Sequence, residues 1–470
     1  FFVCCGFNSI GIGSGGGAGK VTAEWMMNGG VNEDLFSLDI RRFEKFHSET
    51  KFITERVTES LGNLYAMHWP YKQHYTSRNQ KLLPYHEELK LAGACFGVNA
   101  GFERPMWYAL NGAKAEYEYS FGHQNWYTAA SRETIHARQH VALFELTPFA
   151  KFELKGINVH HELQKLCANN IKNVPGSTTY TQMLNPQGGI EADLTVTCFE
   201  KNKYRVISGS AVRNHDKHHI LSNLDSSIEF QDITEEFVCL GVFGPKSRQL
   251  LTDLIGKEFE TNMFPFGTGK YLSLQGVSIW FQRLSYVGEL GWELYIPMQN
   301  AKKIYNLIIK SGIFHNLIHA GAHAMDIMRM EKMYLHWGHD ISPEENQYQS
   351  GLQFTISFKK NIDFIGKKAL LNIKDKKIKK KLMMFTLENN EPGKPLLLHD
   401  EPIYLEDKIV GRTTSGNYSF NFKKNMAFGY VNSGSNLNGK DIEIEVEKTK
   451  YKAIIEAKPF HDPDNRIIKN

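Results

Sequence analysis

The alternation of apolar and polar positions changes character near residue 130, after which it predicts a mixture of strands and helices. Residues 141–146 and 150–156 have the composition of two strands joined by a turn, and residues 157–170 suit a helix. A further helix, with mixed methionine and charged positions, is predicted over residues 320–334. Together these segments predict a fold of the α+β class.

Beyond residue 382 the chain consists of short apolar runs separated by turns, a pattern typical of a small β-barrel. The predicted strands are residues 383–387, 402–405, 408–411 and 442–446. The preceding segment, residues 374–381, contains six lysines in eight residues. Such a run can bind phosphates or an acidic partner, but a solvated linker leading into the barrel is the favoured interpretation.

A first hairpin is predicted from residues 179–184, a turn at residues 185–189 and a second strand at residues 190–196. One face of the second strand carries Ile190, Ala192, Leu194 and Val196, and the other carries Glu191, Asp193 and Thr195. The pattern alone leaves two interpretations of Asp193 open, a solvated carboxylate on a polar face or a functional group.

A second hairpin is predicted from residues 282–288 and 291–296, with Glu289 and Leu290 as a two-residue loop. In that register Tyr286 stands opposite Glu293, which places an aromatic ring beside a carboxylate. A pterin requires such a pair, because its flat ring stacks on the aromatic residue and its amino and ring N–H groups donate to the carboxylate. The alternative is an ordinary cross-strand pair.

The amino-terminal segment predicts a strand, a glycine-rich turn and a helix. Residues 1–5 have the apolar continuity of a buried strand, residues 6–19 are rich in glycine, and a helix follows from Lys20. Glycine-rich turns let backbone N–H groups approach a ligand closely, although a flexible turn explains them equally well. Since a domain seldom begins with its own core strand, and no initiator methionine is present, we expect a chain truncated upstream.

Residues 38–61 then predict a helix, followed by an irregular aromatic segment. The 470 residues predict two to four domains, and the chain has no apolar run of about 18 residues that would span a membrane. The net charge of +4 is too small for an extended nucleic-acid surface, although mild basicity suits a polyanionic ligand. The six cysteines show no CxxC spacing, which predicts reduced thiols in an intracellular compartment and no metal site.

Several of these segments resemble the folate-binding module of the glycine-cleavage aminomethyltransferase (T-protein) family. The same module forms the carboxy-terminal part of the sarcosine and dimethylglycine dehydrogenases. The resemblance is carried by residues 188–196, 285–293, 328–332, 364–370 and 411–416. Upstream, residues 5–9 and 15–19 resemble the last FAD-contacting turn of these dehydrogenases. Residues 78–79, 86–89 and 101–107 resemble their middle domain, and residues 175–181 and 459–465 also match.

The resemblance implies a role for individual residues. Asp193 matches the aspartate beside the reactive folate nitrogens, which implies catalysis. Tyr286 and Glu293 match pterin-binding positions, and Arg329 matches a further folate contact. For FAD, the implied proximal residues are Gly15, Gly16, Gly17 and Gly19. The amino-terminal βαβ unit that carries the dinucleotide-binding fingerprint in these enzymes, and the histidine to which they typically attach FAD, are expected to be missing, so these residues are not expected to hold FAD well by themselves.

The domain organisation implied by the resemblance has four parts. Residues 1–36 are the remnant of an FAD-binding domain, residues 37–108 a connector domain, residues 109–381 the T-protein-like folate-binding module, and residues 382–470 its small β-barrel.

The implied activity is FAD-dependent oxidation of a methylated amine in the mitochondrial matrix. Sarcosine or dimethylglycine is the implied substrate, tetrahydrofolate accepts the one-carbon unit as 5,10-methylene-tetrahydrofolate, and electrons pass to the electron-transfer flavoprotein. The regulatory subunit of pyruvate dehydrogenase phosphatase shares this architecture and remains an alternative of another class. Retention of Asp193, Tyr286 and Glu293 favours the enzymes.

Overall fold

A computed structural model describes residues 1–31, 33–110, 112–374, 376–432 and 441–470. Its amino-terminal part is mainly helical and ends in one antiparallel hairpin. The helices and strands of this part are α1 Gly11–Asn28, α2 Thr50–Leu64, α3 His86–Leu91, β1 Ala94–Asn99 and β2 Phe102–Tyr108. Short 3₁₀ turns lie at Phe36–Leu38, Ile40–Arg42 and Lys45–Ser48.

The middle of the chain alternates strands with helices, as the sequence predicts. The elements are α4 Tyr127–Gln139, β3 Val141–Glu145, β4 Ala150–Lys155, α5 Val159–Leu166, β5 Thr178–Leu184, β6 Ile190–Glu200, β7 Lys203–Ser208, α6 Arg213–Asn223, β8 Glu229–Asp232, β9 Phe237–Phe243, α7 Ser247–Ile255, β10 Gly269–Leu274, β11 Val277–Gln282, β12 Gly291–Pro297, α8 Ala301–Gly312, β13 Leu317–Ala320 and α9 Ala322–Glu331.

The last part holds three short helices and a closed six-stranded barrel, which confirms the predicted small barrel. Its elements are α10 Gln347–Ser350, α11 Lys367–Lys374, β14 Lys380–Leu387, β15 Pro402–Leu405, β16 Lys408–Ser419, β17 Lys424–Asn432, β18 Ile442–Val446, β19 Thr449–Glu456 and α12 Arg466–Lys469. The lysine-rich linker is shorter than predicted, because Lys380 and Lys381 already belong to β14. Asp375, within that run, lies outside the described residues.

A six-stranded sheet in the order β10-β11-β12-β9-β3-β13 forms one half of the module. All its neighbours are antiparallel except β13 and β3, which run parallel. Alternation along β9 sends Val238, Leu240 and Val242 to one face, where they pack with β12 and α8 in the largest apolar cluster. The opposite face turns toward the rest of the module.

A five-stranded antiparallel sheet in the order β5-β6-β7-β4-β8 forms the other half. The first predicted hairpin is confirmed here, since β5 pairs with β6 and Gln182 stands opposite Asp193. Asn185 stabilises the turn, because its side-chain oxygen accepts from the backbone N–H groups of Gln187 and Gly189. As predicted, Ala192, Leu194 and Val196 enter the apolar core of this sheet.

Two predictions for the amino-terminal region are wrong. Residues 1–5 are exposed and irregular, and no neighbouring strand is available to pair with them within the described ranges. The helix predicted over residues 38–61 begins only at Thr50. The cause is local turn chemistry, because the Asp39 carboxylate accepts from the backbone N–H of Arg41 and holds a short 3₁₀ turn.

Candidate functional site

Asp193 lies on β6, on the face of the five-stranded sheet opposite its apolar core. Its carboxylate accepts a hydrogen bond from the Gln182 amide, with 2.8 Å between Nε2 and Oδ1, and another from the Tyr180 hydroxyl. The side-chain carbonyl of Gln182 in turn accepts a hydrogen bond from the Thr355 hydroxyl. Two neutral donors therefore hold the carboxylate in place, and no cation forms an ion pair with it in the part of the chain that the structure describes.

The surroundings of Asp193 change its acidity. Burial raises the pKa of Asp193 to about 6, although the hydrogen bonds from Gln182 and Tyr180 act to lower it, and nearby Asp216 raises it further. A carboxyl group with a pKa near 6 can both accept and release a proton close to neutral pH. Asp193 is therefore equipped for acid–base chemistry.

The second predicted hairpin exists, but its predicted register is wrong. β11 ends at Gln282, which stands opposite Glu293, so Tyr286 falls in the loop of residues 283–290 instead of pairing with Glu293. The cause is Arg283, whose backbone N–H and C=O pair with Thr268 and Gly267 rather than with β12. Its buried guanidinium also donates to the Phe264 carbonyl at 2.6 Å and so holds the chain away from the ladder.

Tyr286 is fixed within this loop by contacts with the segment that follows α9. Its hydroxyl donates to the Leu335 carbonyl at 2.9 Å. Its ring stacks against Tyr334, with 6.2 Å between centroids and 19° between planes. Burial raises the pKa of Tyr286, so the phenol stays neutral at physiological pH. Tyr286 therefore offers a flat, uncharged ring in a fixed position.

Glu293 lies in the middle of β12, between Gln282 on β11 and Gly241 on β9. Its Oε2 accepts from the Tyr295 hydroxyl at 2.7 Å. Burial raises the pKa of Glu293, whereas the Tyr295 hydrogen bond and the charge of Lys151 lower it. Unlike Asp193, this carboxylate has a cation nearby that favours its ionised form.

Tyr286 and Glu293 nevertheless lie on the same side of the six-stranded sheet. Residues alternate along β12, so Glu293 shares a face with Tyr295, which packs in one cluster with Tyr286. The same cluster includes Met325 and Met328 of α9, and Phe199 and Ile207 of the five-stranded sheet. The region where these residues meet is called the junction below. Asp193 faces it too, since its charge acts on Tyr286.

Arg329 lies on α9 and is 2% exposed. Its guanidinium makes four hydrogen bonds, all to protein groups: the carboxylates of Asp326 at 2.8 Å and Asp340 at 2.6 Å, the Tyr334 carbonyl at 3.1 Å and the Ser415 hydroxyl at 2.8 Å. Burial acts to lower the pKa of Arg329, but the charges of Asp326 and Asp340 raise it overall. Most of its donors are therefore occupied by the protein, and its contacts fix α9 to the barrel.

Contacts between the barrel and two carboxylates explain the motif at residues 411–416. Thr414 and Ser415 of β16 donate to Asp340 Oδ1 at 2.6 and 2.8 Å, and Asn417 donates to Asp326 Oδ2 at 2.7 Å. Asp340 is fully buried, whereas 41% of the Asp326 side chain is exposed. Asp326 is therefore the more accessible of the two carboxylates that hold Arg329.

The four glycines predicted near FAD lie inside α1, so the predicted glycine-rich turn is wrong. None of Gly15, Gly16, Gly17 and Gly19 has another atom within 4 Å of the position that a Cβ would take, and α1 contains no buried residue. The helix begins at Gly11 and passes through all four, although glycine is a poor helix former. They form no cradle for a dinucleotide, so the residues described here do not fit an FAD site by themselves.

Residues that the sequence did not single out complete the surroundings of the junction. Tyr180 and Gln182 alternate on β5 opposite Asp193, and the hairpin register alone could have identified them. Asp326 precedes Arg329 by three positions on a predicted helix, a spacing that brings two side chains together. Asp340 gave no such signal, because its partners are distant in sequence.

Three further properties concern the described residues as a group. All six cysteines are free thiols, four of them buried. Within the described ranges, no three histidine, cysteine or acidic side chains are placed to hold a metal ion. Of the helices described, none has the length and apolar character required to cross a membrane.

Comparison with known proteins identifies the class of fold. The GCVT N-terminal domain model matches residues 85–360, and the model of the glycine cleavage T-protein C-terminal barrel domain matches residues 380–462. The FAD dependent oxidoreductase central domain model matches residues 28–82. The crystal structure of the glycine cleavage system aminomethyltransferase T from Bartonella henselae superposes with a TM-score of 0.70 at 20% identity, covering 82% of this chain and 99% of that one. The module therefore has the aminomethyltransferase fold.

Similar curated proteins cover the whole chain. Sarcosine dehydrogenase of Homo sapiens is 32% identical over 100% of this chain, and dimethylglycine dehydrogenase of Homo sapiens is 32% identical over 98%. The 4-methylaminobutanoate oxidase (formaldehyde-forming) of Paenarthrobacter nicotinovorans is 34% identical over 100%. This chain covers 56%, 53% and 56% of these relatives, respectively, so it spans about half their length. The chain belongs to the GCVT (glycine cleavage T-protein) family, in the group that contains the sarcosine and dimethylglycine dehydrogenases.

Proposed function

We propose that this chain binds a reduced folate at the junction and forms the folate-dependent part of a sarcosine-dehydrogenase-type enzyme. One observation carries the proposal: Asp193, with a pKa of about 6, faces the same region as the neutral ring of Tyr286. A base that titrates near neutral pH beside a fixed aromatic surface suits a heteroaromatic ligand whose ring nitrogens exchange protons.

Glu293 is the proposed anchor of the pterin ring. Its carboxylate keeps one oxygen, Oε1, without a hydrogen bond from any described residue, while Oε2 accepts from Tyr295. A carboxylate can accept the pterin 2-amino and N3 hydrogens together, and Lys151 favours its charged form. Tyr286 supplies the surface on which the ring packs.

Asp193 is the proposed acid–base group. When a methylene iminium of the form CH₂=NH⁺–R reacts with tetrahydrofolate, two folate N–H bonds break and two N–C bonds form to the methylene carbon. One of the released protons ends on the departing amine, R–NH₂, and the other must leave through a base. Asp193 can accept that proton, because its pKa lies near 6 and Gln182 and Tyr180 keep it oriented.

The wider assignment is also a proposal. We infer that the one-carbon unit comes from sarcosine, with dimethylglycine as the competing substrate, and that electrons pass to the electron-transfer flavoprotein. Three similar proteins, the two human dehydrogenases and a mouse regulatory subunit, are named as mitochondrial, which supports a mitochondrial location for this protein. FAD belongs to the oxidative half of the reaction, for which the described residues supply no site, so the proposal for this chain is confined to the folate.

Calorimetry with tetrahydrofolate tests the proposal. Wild-type chain should bind it, and Glu293→Gln should weaken binding by about 10- to 100-fold, since charge-assisted hydrogen bonds contribute about 1.5–3 kcal/mol. Glu229→Gln, at an exposed position on the edge strand β8, is the matched control and should bind like wild type.

Two outcomes would refute the proposal: a wild-type chain that binds no reduced folate, or a Glu293→Gln variant that binds as tightly as wild type. Either would favour the alternative of a binding protein. The pyruvate dehydrogenase phosphatase regulatory subunit of Mus musculus, 30% identical over 94% of this chain, represents that alternative.

A further inference from the structure

Arg104 is a buried arginine without a carboxylate partner. It lies on β2, is 9% exposed, and stands opposite Gly97 in the β1–β2 hairpin. Its single hydrogen bond within the described ranges runs from Nη2 to the Met325 sulfur, at 3.6 Å, and its Nε is buried with no partner. Because a thioether is a weak acceptor, the guanidinium is left without a strong hydrogen-bond acceptor from the described protein.

Two other buried arginines of the described chain have carboxylate partners. Arg329 makes four hydrogen bonds, two of them to the carboxylates of Asp326 and Asp340. Arg205 pairs with Glu153 and lies 4.3 Å from the centroid of the Phe199 ring. A buried charge without such partners is strongly unfavourable. Arg104 therefore differs from both in having no carboxylate among the described residues hydrogen-bonded to it, and an anionic ligand would supply one.

The position of Arg104 relates it to the proposed folate site. Its partner Met325 belongs to the apolar cluster of the junction, together with Tyr286. The groups that act electrostatically on Arg104 are Glu145, Asp326 and Tyr286. The Glu145 carboxylate already accepts hydrogen bonds from the Tyr85 hydroxyl at 2.6 Å and from the Thr147 backbone N–H at 2.7 Å. Arg104 thus lies close to Asp326 and Tyr286 and contacts Met325 of the junction.

We propose that Arg104 binds the carboxylate of a ligand in the junction. A guanidinium is the side chain best suited to a carboxylate, because its planar N–H groups can donate to both oxygens at once. The identity of the ligand rests on the proposed function, which offers two carboxylate sources: the amino acid that donates or receives the one-carbon unit, and the glutamate of the folate. Asp326 favours the amino acid, because its exposed carboxylate can face the ammonium group of the same molecule.

Binding measurements with two pairs of probes distinguish the sources. The first pair is glycine and sarcosine, followed by NMR titration, and the second is tetrahydrofolate and 6-methyltetrahydropterin, which carries no carboxylate. If the amino acid is the source, Arg104→Met should weaken binding of glycine and sarcosine by about 10- to 100-fold. If the glutamate is the source, the variant should weaken binding of tetrahydrofolate by that factor and leave binding of 6-methyltetrahydropterin unchanged. Either result supports the carboxylate assignment.

A thermal melt separates ligand binding from a structural role. Because Arg104→Met removes an unpaired buried charge, the melting temperature should stay the same or rise. Arg329→Met, the matched control, removes a paired arginine and should lower it by several degrees. Arg104→Lys keeps the charge without the planar fork and should restore only part of the affinity.

The proposal is overturned if Arg104→Met binds all four probes like wild type, or if it melts as low as Arg329→Met. Failure of the proposed function would look different: the wild-type chain would then bind no tetrahydrofolate, while the glycine and sarcosine titrations of Arg104→Met would still report on the carboxylate site.

Discussion

The two sheets of the module each present one half-buried carboxylate toward the junction, and the two carboxylates are held differently. Asp193 of the five-stranded sheet accepts from neutral donors, Gln182 and Tyr180, and has a second carboxylate, Asp216, nearby. Glu293 of the six-stranded sheet accepts from Tyr295 and has the cation Lys151 nearby. Burial raises the pKa of both.

The charge environment therefore separates their roles. A neighbouring carboxylate disfavours a second negative charge, so Asp193 is adapted to exchange a proton. A neighbouring cation favours the ionised form, so Glu293 is adapted to remain charged and to accept hydrogen bonds from a ligand. Two acidic residues on adjoining sheets thus have distinct proposed functions, one in chemistry and one in binding.

The largest effect expected from this difference is on the rate of one-carbon transfer. Asp193→Asn removes the proposed base and should lower single-turnover transfer in the complete protein by about 10²- to 10⁴-fold. Its affinity for tetrahydrofolate should stay within about twofold of wild type, because the pterin anchor is intact. At saturating folate, Glu293→Gln should transfer at a rate close to wild type. Equal loss of rate in both variants would refute the division of roles.

The pH dependence of transfer is the next effect in size. Asp193 must be ionised to accept a proton, and its pKa is raised from an ordinary 3.8 to about 6. The rate should therefore be constant above pH 7 and fall by about tenfold for each pH unit below 6. In Glu293→Gln the rate should still begin to fall near pH 6. In Asp193→Asn the residual rate should not change near this pH. A wild-type rate that is constant from pH 5 to pH 8 would contradict the assignment.

A smaller effect is expected on thermal stability. Because folding raises the pKa of Asp193, the folded state is favoured while the group is protonated, and this stabilisation is lost as the pH rises from about 4 through 6. Asp193→Asn should therefore raise the melting temperature at pH 8 by roughly 2 °C and leave it unchanged at pH 4. Glu293→Gln should raise it less, since it also loses the attraction of Lys151. Calorimetric melts at both pH values check the order.

The sequence predicted those parts of the fold that depend on local signals. The register of the first hairpin follows from a turn whose Asn185 satisfies its own backbone N–H groups, and the barrel follows from short strands spaced by turns. The register of the second hairpin could not be predicted in this way. It depends on Arg283, which pairs with Thr268 and donates to Phe264, contacts that only the tertiary structure brings about.

The candidate site shows the same limit. The alternation along β6 placed Asp193 on the polar face, but its acidity depends on burial and on Asp216, which lies on α6. Arg329 was predicted to contact folate, yet its donors point to Asp340 and Ser415, which follow it by 11 and 86 positions. A folate contact by Arg329 stays a prediction. The glycines of α1 were predicted to form a turn but lie in a helix, because glycine spacing alone does not distinguish a turn from an exposed helix.

The most direct test of the central claim is a crystal structure of this chain with a stable reduced folate, such as 5-formyl-tetrahydrofolate. We expect the pterin ring at the junction, packed on Tyr286, with its 2-amino and N3 groups within hydrogen-bonding distance of Glu293 and its reactive nitrogens turned toward Asp193. A folate bound elsewhere, or at the junction with Glu293 still bonded only to Tyr295, would contradict it.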